Sequence, residues 1–203
     1  MDVALPSFIL GYHGCDESLA EAVFAGRERL DHSTNDYDWL GHGAYFWEHN
    51  AQRAYDYAKT LAANPRHSKQ RIAKPAVIGA VINLGYCLNL LDGRFIELVR
   101  KAHRDLEVAA RKANRAMPQN TGGKDLLNRK LDCMVIQTLH AIREDKMESP
   151  FDTVRAAFIE GDPLYENAGF TAESHIQVCV RNPQCIMGYF RPLDDEGNVQ
   201  IFQ

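Results

Sequence analysis

The chain of 203 residues contains no Cys-x-x-Cys pair and no His-x-x-x-His spacing. Its five cysteines (Cys15, Cys87, Cys133, Cys179 and Cys185) are odd in number, and most sit in apolar runs. That pattern excludes a framework of paired disulfides and a thiolate zinc site; it fits free, buried thiols in a reducing compartment. The eight histidines are scattered, so no structural or catalytic metal is expected. Apolar runs of membrane-spanning length are missing, and Met1-Asp2-Val3-Ala4 puts no basic stretch ahead of an apolar one. The expectation is a cytoplasmic protein without a membrane partner. A dinucleotide-binding Rossmann fingerprint is also absent. Gly41-His42-Gly43 lacks the third glycine and leads into a strand-like segment, not a helix.

What is present fits a globular protein of one domain, 1–203, with room for a core of ordinary size. The net charge of −4 hides an asymmetry. Between Arg94 and Lys130 ten Lys or Arg face four Asp or Glu, a local net of +6, which leaves −10 for the remainder. This stretch is the compositional pointer to an acidic partner.

Hydrophobic spacing divides the chain into strands, then helices, then strands again, an α+β order. Strands are expected at Phe8–Cys15, Ala44–Trp47, Ala76–Leu84, Val154–Ile159, His175–Val180 and Ile186–Phe190. Helices are expected at Glu17–Phe24, at Ala51–Ala63 behind an Asn50 cap, from Asp92 through about Met117, and from Asp125 or Leu126 onward. Residues 31–43 and 160–171 read as loops. The third helix has one apolar face and an opposite face carrying Arg100, Lys101, Arg104, Arg111, Lys112 and Arg115. Such a face is ordinarily a solvated one; its sharper reading is a dock for nucleic acid over residues 94–116.

Four segments carry a family resemblance. They are Tyr12-His13-Gly14-Cys15, then Gly41-His42-Gly43-Ala44-Tyr45-Phe46-Trp47-Glu48 with Ala54-Tyr55 downstream, then Val77–Gly85, and finally His175-Ile176-Gln177-Val178-Cys179-Val180. In this order they resemble the His-Gly strand, the Gly-x-Gly-x-Tyr-Phe strand, the apolar strand and the third signature strand of poly(ADP-ribose) polymerase-like, diphtheria-toxin-type ADP-ribosyltransferase domains. The resemblance covers about residues 8–85 and 151–192. It implies an ADP-ribosyltransferase-like fold, with two packed antiparallel or mixed sheets forming an NAD cleft. Residues 93–148 have no counterpart and read as a helical insertion.

The resemblance also implies roles. His13, by itself a core histidine at a strand end, would hold a ribose hydroxyl of NAD. The Gly14 backbone would pair with the nicotinamide carboxamide, Cys15 would be among the NAD-binding residues, and Tyr45, by itself a core aromatic, would stack on the nicotinamide. A second aromatic would come from Tyr55 or Tyr57; both cannot face one way at this spacing, and Tyr57 is preferred. Ser33 and Asn35, in a segment that otherwise reads as a solvated connection, would lie over the adenosine and ribose. The third signature position falls on Gln177, where chain-forming members carry glutamate; Glu173 is the alternative if the register shifts. Glutamine keeps a hydrogen bond but neither charge nor basicity, so transfer of one ADP-ribose to a macromolecule is expected rather than polymer growth. The other expectations are a non-catalytic binder of NAD or ADP-ribose and an NAD glycohydrolase. A toxin or defence role is expected by analogy only.

Overall fold

The computed structural model describes residues 8–64, 71–193, 196–200 and 202. Strand β1 (Phe8–Asp16) runs straight into helix α1 (Glu17–Phe24). The joint is Asp16, whose carboxylate accepts from Ser18 N at 3.0 Å and, through its other oxygen, from Ala73 N and Lys74 N at 2.7 and 3.0 Å. A loop leads to β2 (Ala44–Glu48) and α2 (Ala51–Ala63). Asn50 caps α2 by accepting from Arg53 N at 2.9 Å, as its position in the sequence predicts. After β3 (Pro75–Asn83) and the short β4 (Cys87–Asn89), Asp92 caps α3 (Gly93–Lys112). A two-stranded ribbon, β5 (Asn120–Thr121) and β6 (Asn128–Arg129), precedes α4 (Lys130–Asp145). The last strands are β7 (Thr153–Phe158), β8 (His175–Val180) and β9 (Ile186–Phe190).

The two long middle helices are shorter than the sequence suggests. α3 stops at Lys112 because Asn114 turns left-handed (φ 50°) and Arg115 N reaches back to Ala110 O at 2.9 Å. The next helix is expected from Asp125 or Leu126, but Leu126 turns left-handed (φ 50°) and Asn128–Arg129 pair back onto Asn120–Thr121 as the ribbon, so α4 starts only at Lys130. Asn120 Oδ1 then caps α4 from outside, accepting from Leu131 N and Asp132 N. Residues 93–148, expected as a helical insertion, hold two helices joined by a ribbon.

Seven strands form one mixed sheet in the order β4-β7-β8-β2-β1-β3-β9. All neighbours are antiparallel except β4 and β7. The resemblance implies two packed sheets; the ladder is instead continuous, but it nearly parts in the middle. β1 pairs with β3 along all nine residues, and β2 with β8 along four. β1 and β2 share only Gly11↔Glu48 and Tyr12↔Trp47. The sheet is therefore two halves hinged at a short seam.

One face of both halves closes on a common core with α1, including Phe46, Ile78, Ile82, Val178 and Val180, all fully buried. Each such side chain contributes about 1.5–3 kcal/mol of burial. The other face is divided. α2 covers the β1–β3 half, where Gly14 lets the helix approach: a Cβ there would lie 2.0 Å from Ala54 O. α3 and α4 cover the β4–β7–β8 half around Leu88, Val154 and Phe151. Between α2 and these two helices, over the middle strands, lies the ground on which polar side chains collect. No helix of the described residues is long and apolar enough to cross a membrane.

Candidate functional site

The seam is built by His13. Where the next backbone pair between β1 and β2 would fall, its ring Nδ1 lies 2.8 Å from Tyr45 O. A carbonyl only accepts, so Nδ1 carries the proton and Nε2 presents a lone pair. Burial holds the imidazole below its usual pKa, partly offset by the bond to Tyr45, so the ring is neutral near pH 7. Nε2 has no partner among the described residues.

Tyr45 points to the opposite side of β2, toward α3 and α4. Its hydroxyl donates to Gly41 O at 2.6 Å and accepts from Leu40 N at 2.8 Å, which fixes the ring against the preceding loop. That loop is gripped from α4: Gln137 Oε1 accepts from His42 N and Gln137 Nε2 bonds His42 Nδ1 at 2.8 Å. The two glycines have steric reasons. A Cβ on Gly41 would meet Ile136 and Gln137 at 2.8 Å, and one on Gly43 would meet Cys179 Sγ at 2.5 Å. Helix α4 thus shapes the loop that holds Tyr45.

Register sets the rest. Tyr45 faces Cys179, and Trp47 faces Gln177, across β2 and β8. Tyr45, Trp47, Gln177 and His175 therefore share one face of the sheet. Gln177 is 9% exposed, and its amide has no hydrogen-bond partner among the described residues. Tyr57 packs its ring 5.0 Å from Trp47, with Tyr37, Asp38 and Arg53 near its hydroxyl; burial first, then Tyr37 and Asp38, raise its pKa. Tyr55 instead stacks on Phe202 at 4.9 Å, at the edge of the cluster that holds Trp47, Ala54 and Val77.

The structure brings Tyr45, Tyr57 and Gln177 around Trp47. His13 stands at the seam, one strand over, with its ring 5.9 Å from that of Phe46 on the opposite face of the sheet, and it meets this group only through the Tyr45 carbonyl. Gly14 turns toward α2, and Cys15 is 3% exposed in the common core, where burial pushes its thiol up to about 12. Ser33 and Asn35 wrap Asp38, whose carboxylate accepts from Ser33 Oγ at 2.9 Å and Asn35 N at 3.0 Å. Ser33 also bridges to Gly43, tying this turn to the start of β2. Glu173 lies just before β8, half exposed, and pairs with Arg53 Nη2 at 2.7 Å.

One residue of this neighbourhood has no signal in the sequence. Glu160 follows β7 at the start of the loop, and its side chain is 3% exposed. Glu160 Oε2 lies 3.5 Å from Arg53 Nη2 and 3.8 Å from His175 Nδ1. Among the described residues Oε1 has no partner, and neither do Arg53 Nε, His175 Nε2 and Trp47 Nε1. Burial pushes the Glu160 carboxyl up to about 7, against the pull of Arg53 and then Arg129. His175 gives its Nδ1 proton to Glu173 O at 2.6 Å; burial lowers its pKa and leaves Nε2 as an acceptor.

Next to this cluster, under α3 and α4, lies a mostly apolar cavity of about 480 Å³ lined by Trp39, Phe158, Arg129 and Val135 among others. Arg129 sits over both Trp39 and Phe158, 4.3 and 4.9 Å from the ring centres. The basic helix is α3. Arg94 pairs with Asp92 and Arg100 with Glu97, while Lys101, Arg104, Arg111 and Lys112 are exposed. Among the described residues no group of three or more His, Cys, Asp or Glu is placed to hold a metal ion.

No family model, no curated protein and no solved structure matches this chain.

Proposed function

We propose that the protein is an NAD-dependent mono-ADP-ribosyltransferase, which breaks the nicotinamide–ribose bond of NAD and passes ADP-ribose to an acceptor. The observation that carries this reading is where the four resembling segments lie. Scattered over some 170 residues of sequence, they are β8, β2, β1 and β3, consecutive in the sheet and centred on the seam. The segments without a counterpart, α3 and α4, stand outside those strands.

In this reading His13 Nε2 accepts a hydrogen bond from a ribose hydroxyl, its tautomer held by Tyr45 O. Tyr45 and Tyr57 offer aromatic faces to the flat cationic nicotinamide ring, an attraction of about 1–2 kcal/mol when water is excluded. Gln177 presents an uncommitted amide to the reacting ribose. Lacking charge, it holds a hydroxyl without abstracting its proton, which suits one transfer and not elongation. The free thiols and the absence of paired cysteines fit a cytoplasmic location.

A second reading is favoured by the same glutamine: a module that binds NAD or ADP-ribose without turnover. Incubation with NAD labelled in the nicotinamide and, separately, in the adenylate distinguishes them. A transferase releases nicotinamide and labels a protein or nucleic-acid acceptor; a glycohydrolase releases nicotinamide and leaves free ADP-ribose. A binder gives heat in calorimetry and intact NAD.

A further inference from the structure

Helix α3 has two unlike sides. Its inner side, with Phe95, Leu98, Val99, Ala102 and Leu106, packs on the core of the β4–β7–β8 half. Its outer side is cationic. Lys101, Arg104, Arg111 and Lys112 are exposed, and none of them pairs with a carboxylate among the described residues. At 3.6 residues per turn and 1.5 Å per residue, the four fall within about 100° of the helix circumference and span about 16 Å. The acids of the helix leave this stripe open. Glu97 is held by Arg100, Glu107 faces His103 at 3.7 Å, and Asp105 stands at the margin. Arg115 continues the stripe past the helix end, where it lines a shallow hollow of about 440 Å³ with Arg111, Asn114 and Glu107. Arg111 and Lys112 also complement the negative end of the helix; Lys101 and Arg104, in its middle, have no such reason to be there.

The chemistry of this side selects among partners. A membrane surface takes a helix whose apolar face is turned outward, and that of α3 is buried in the core. A protein interface is anchored by large apolar and aromatic side chains at its centre. On α3 the exposed large apolar residues are Ile96 and Val108, and no aromatic is exposed. A single strand of nucleic acid is gripped by stacking aromatics, which are missing here for the same reason. Duplex RNA is held in part through its 2′-hydroxyls, and α3 contains no Asn, Gln, Ser or Thr to bond them. Phosphates ask only for cations at a steady spacing. One strand of B-form DNA advances about 3.4 Å per nucleotide, so the stripe lies along about five phosphates. Charge also fixes the orientation. Residues 94–130 carry +6 and the remainder −10, so a polyanion is drawn to this side and repelled elsewhere.

We propose that α3 docks on the phosphate backbone of double-stranded DNA without reading its sequence. The contacts position the protein on the duplex and carry no base information. This binding requires neither NAD nor the transferase reading.

The test titrates the full chain, without NAD, into two fluorescently labelled DNA duplexes of unrelated sequence and follows anisotropy over a series of salt concentrations. The wild type binds both duplexes within about twofold, and for five cations the slope of log K against log salt is about −4 to −5. The triple variant Lys101→Gln/Arg104→Gln/Arg111→Gln flattens that slope by about 3 and lowers affinity at low salt by about tenfold or more. The control Arg27→Gln/Arg29→Gln/Lys146→Gln removes the same charge from exposed positions elsewhere. It keeps the wild-type affinity within about twofold. Both triple variants keep the wild-type circular dichroism and thermal midpoint. Wild-type protein that does not bind duplex DNA at low salt overturns the proposal. So does an α3 variant that binds as wild type, or a control that loses as much. Tighter binding to single-stranded DNA, duplex RNA, phosphatidylserine vesicles or polyglutamate than to duplex DNA overturns it as well.

Discussion

His13 holds Tyr45 across the place where neighbouring strands of the sheet part: ring Nδ1 to Tyr45 O, 2.8 Å. A side chain here replaces a backbone partner. β1 and β2 stay hydrogen-bonded for two residue pairs and then separate, with the carbonyl still satisfied.

The first prediction concerns this bond. His13→Ala leaves the Tyr45 carbonyl unpaired and costs about 1–2 kcal/mol in urea unfolding. It also removes the free Nε2, so NAD affinity falls by about tenfold or more in calorimetry. A variant that loses stability but binds NAD as wild type would leave His13 a purely structural residue.

Gly14 tests the packing of α2 on the seam. Gly14→Ala drives a Cβ to 2.0 Å from Ala54 O, a backbone atom that cannot swing away. The expected loss is about 3 kcal/mol, seen as a lower thermal midpoint. Gly188→Ala in β9, where a Cβ meets nothing within 4 Å, serves as the control and stays within about 0.5 kcal/mol.

Both residues were legible in the sequence, though for different reasons. The His-Gly and Gly-x-Gly-x-Tyr-Phe segments stand out locally, and the strands expected at Phe8–Cys15 and His175–Val180 lie where the structure has β1 and β8. The three-residue β4 is too short to carry a period. α4 begins later than its apolar spacing suggests because Leu126 turns left-handed and the chain first pairs back as the ribbon. Glu160 was not legible at all. Its chemistry comes from burial beside Arg53, 107 residues earlier in the chain, and from pairing of β7 with β8. A lone glutamate before Gly161 reads as an ordinary loop residue. Gly41 and Gly43 belong to a resembling segment in the sequence, and the structure gives them steric reasons of their own, contacts with α4 and with Cys179.

Glu160 also makes a stability prediction with a definite sign. Its carboxyl titrates near 7 when folded, against 4.5 when solvated, so the folded state binds the proton more tightly. Stability from this proton is complete below pH 4.5 and is lost as pH rises to about 7. Glu160→Gln has no such loss. Its stability relative to wild type therefore climbs across that window, by on the order of 3 kcal/mol, and is level above it. His140, held down to about 3 by burial and then by Arg181, slopes the opposite way but equally in both proteins, so it cancels in the difference. A difference that is flat from pH 4 to 8 would remove Glu160 as a titrating group.

The exposed cations of α3 are a separate matter. Lys101→Glu, Arg104→Glu and Arg111→Glu touch no core and leave unfolding within about 0.5 kcal/mol each. If α3 serves as the nucleic-acid face, each reversal lowers retention on an oligonucleotide column and reduces the slope of log K against log salt by about 1. Unchanged retention would leave α3 a solvated face.

The central claim is that the seam and the face beside it cleave NAD. It is tested most directly by following release of nicotinamide from NAD labelled in that ring, for the wild-type chain and for Gln177→Ala. The account predicts steady release by the wild type and a loss of about 100-fold in the variant, with the fold intact by circular dichroism. NAD that remains whole with the wild-type protein, or release that Gln177→Ala leaves unchanged, would contradict it.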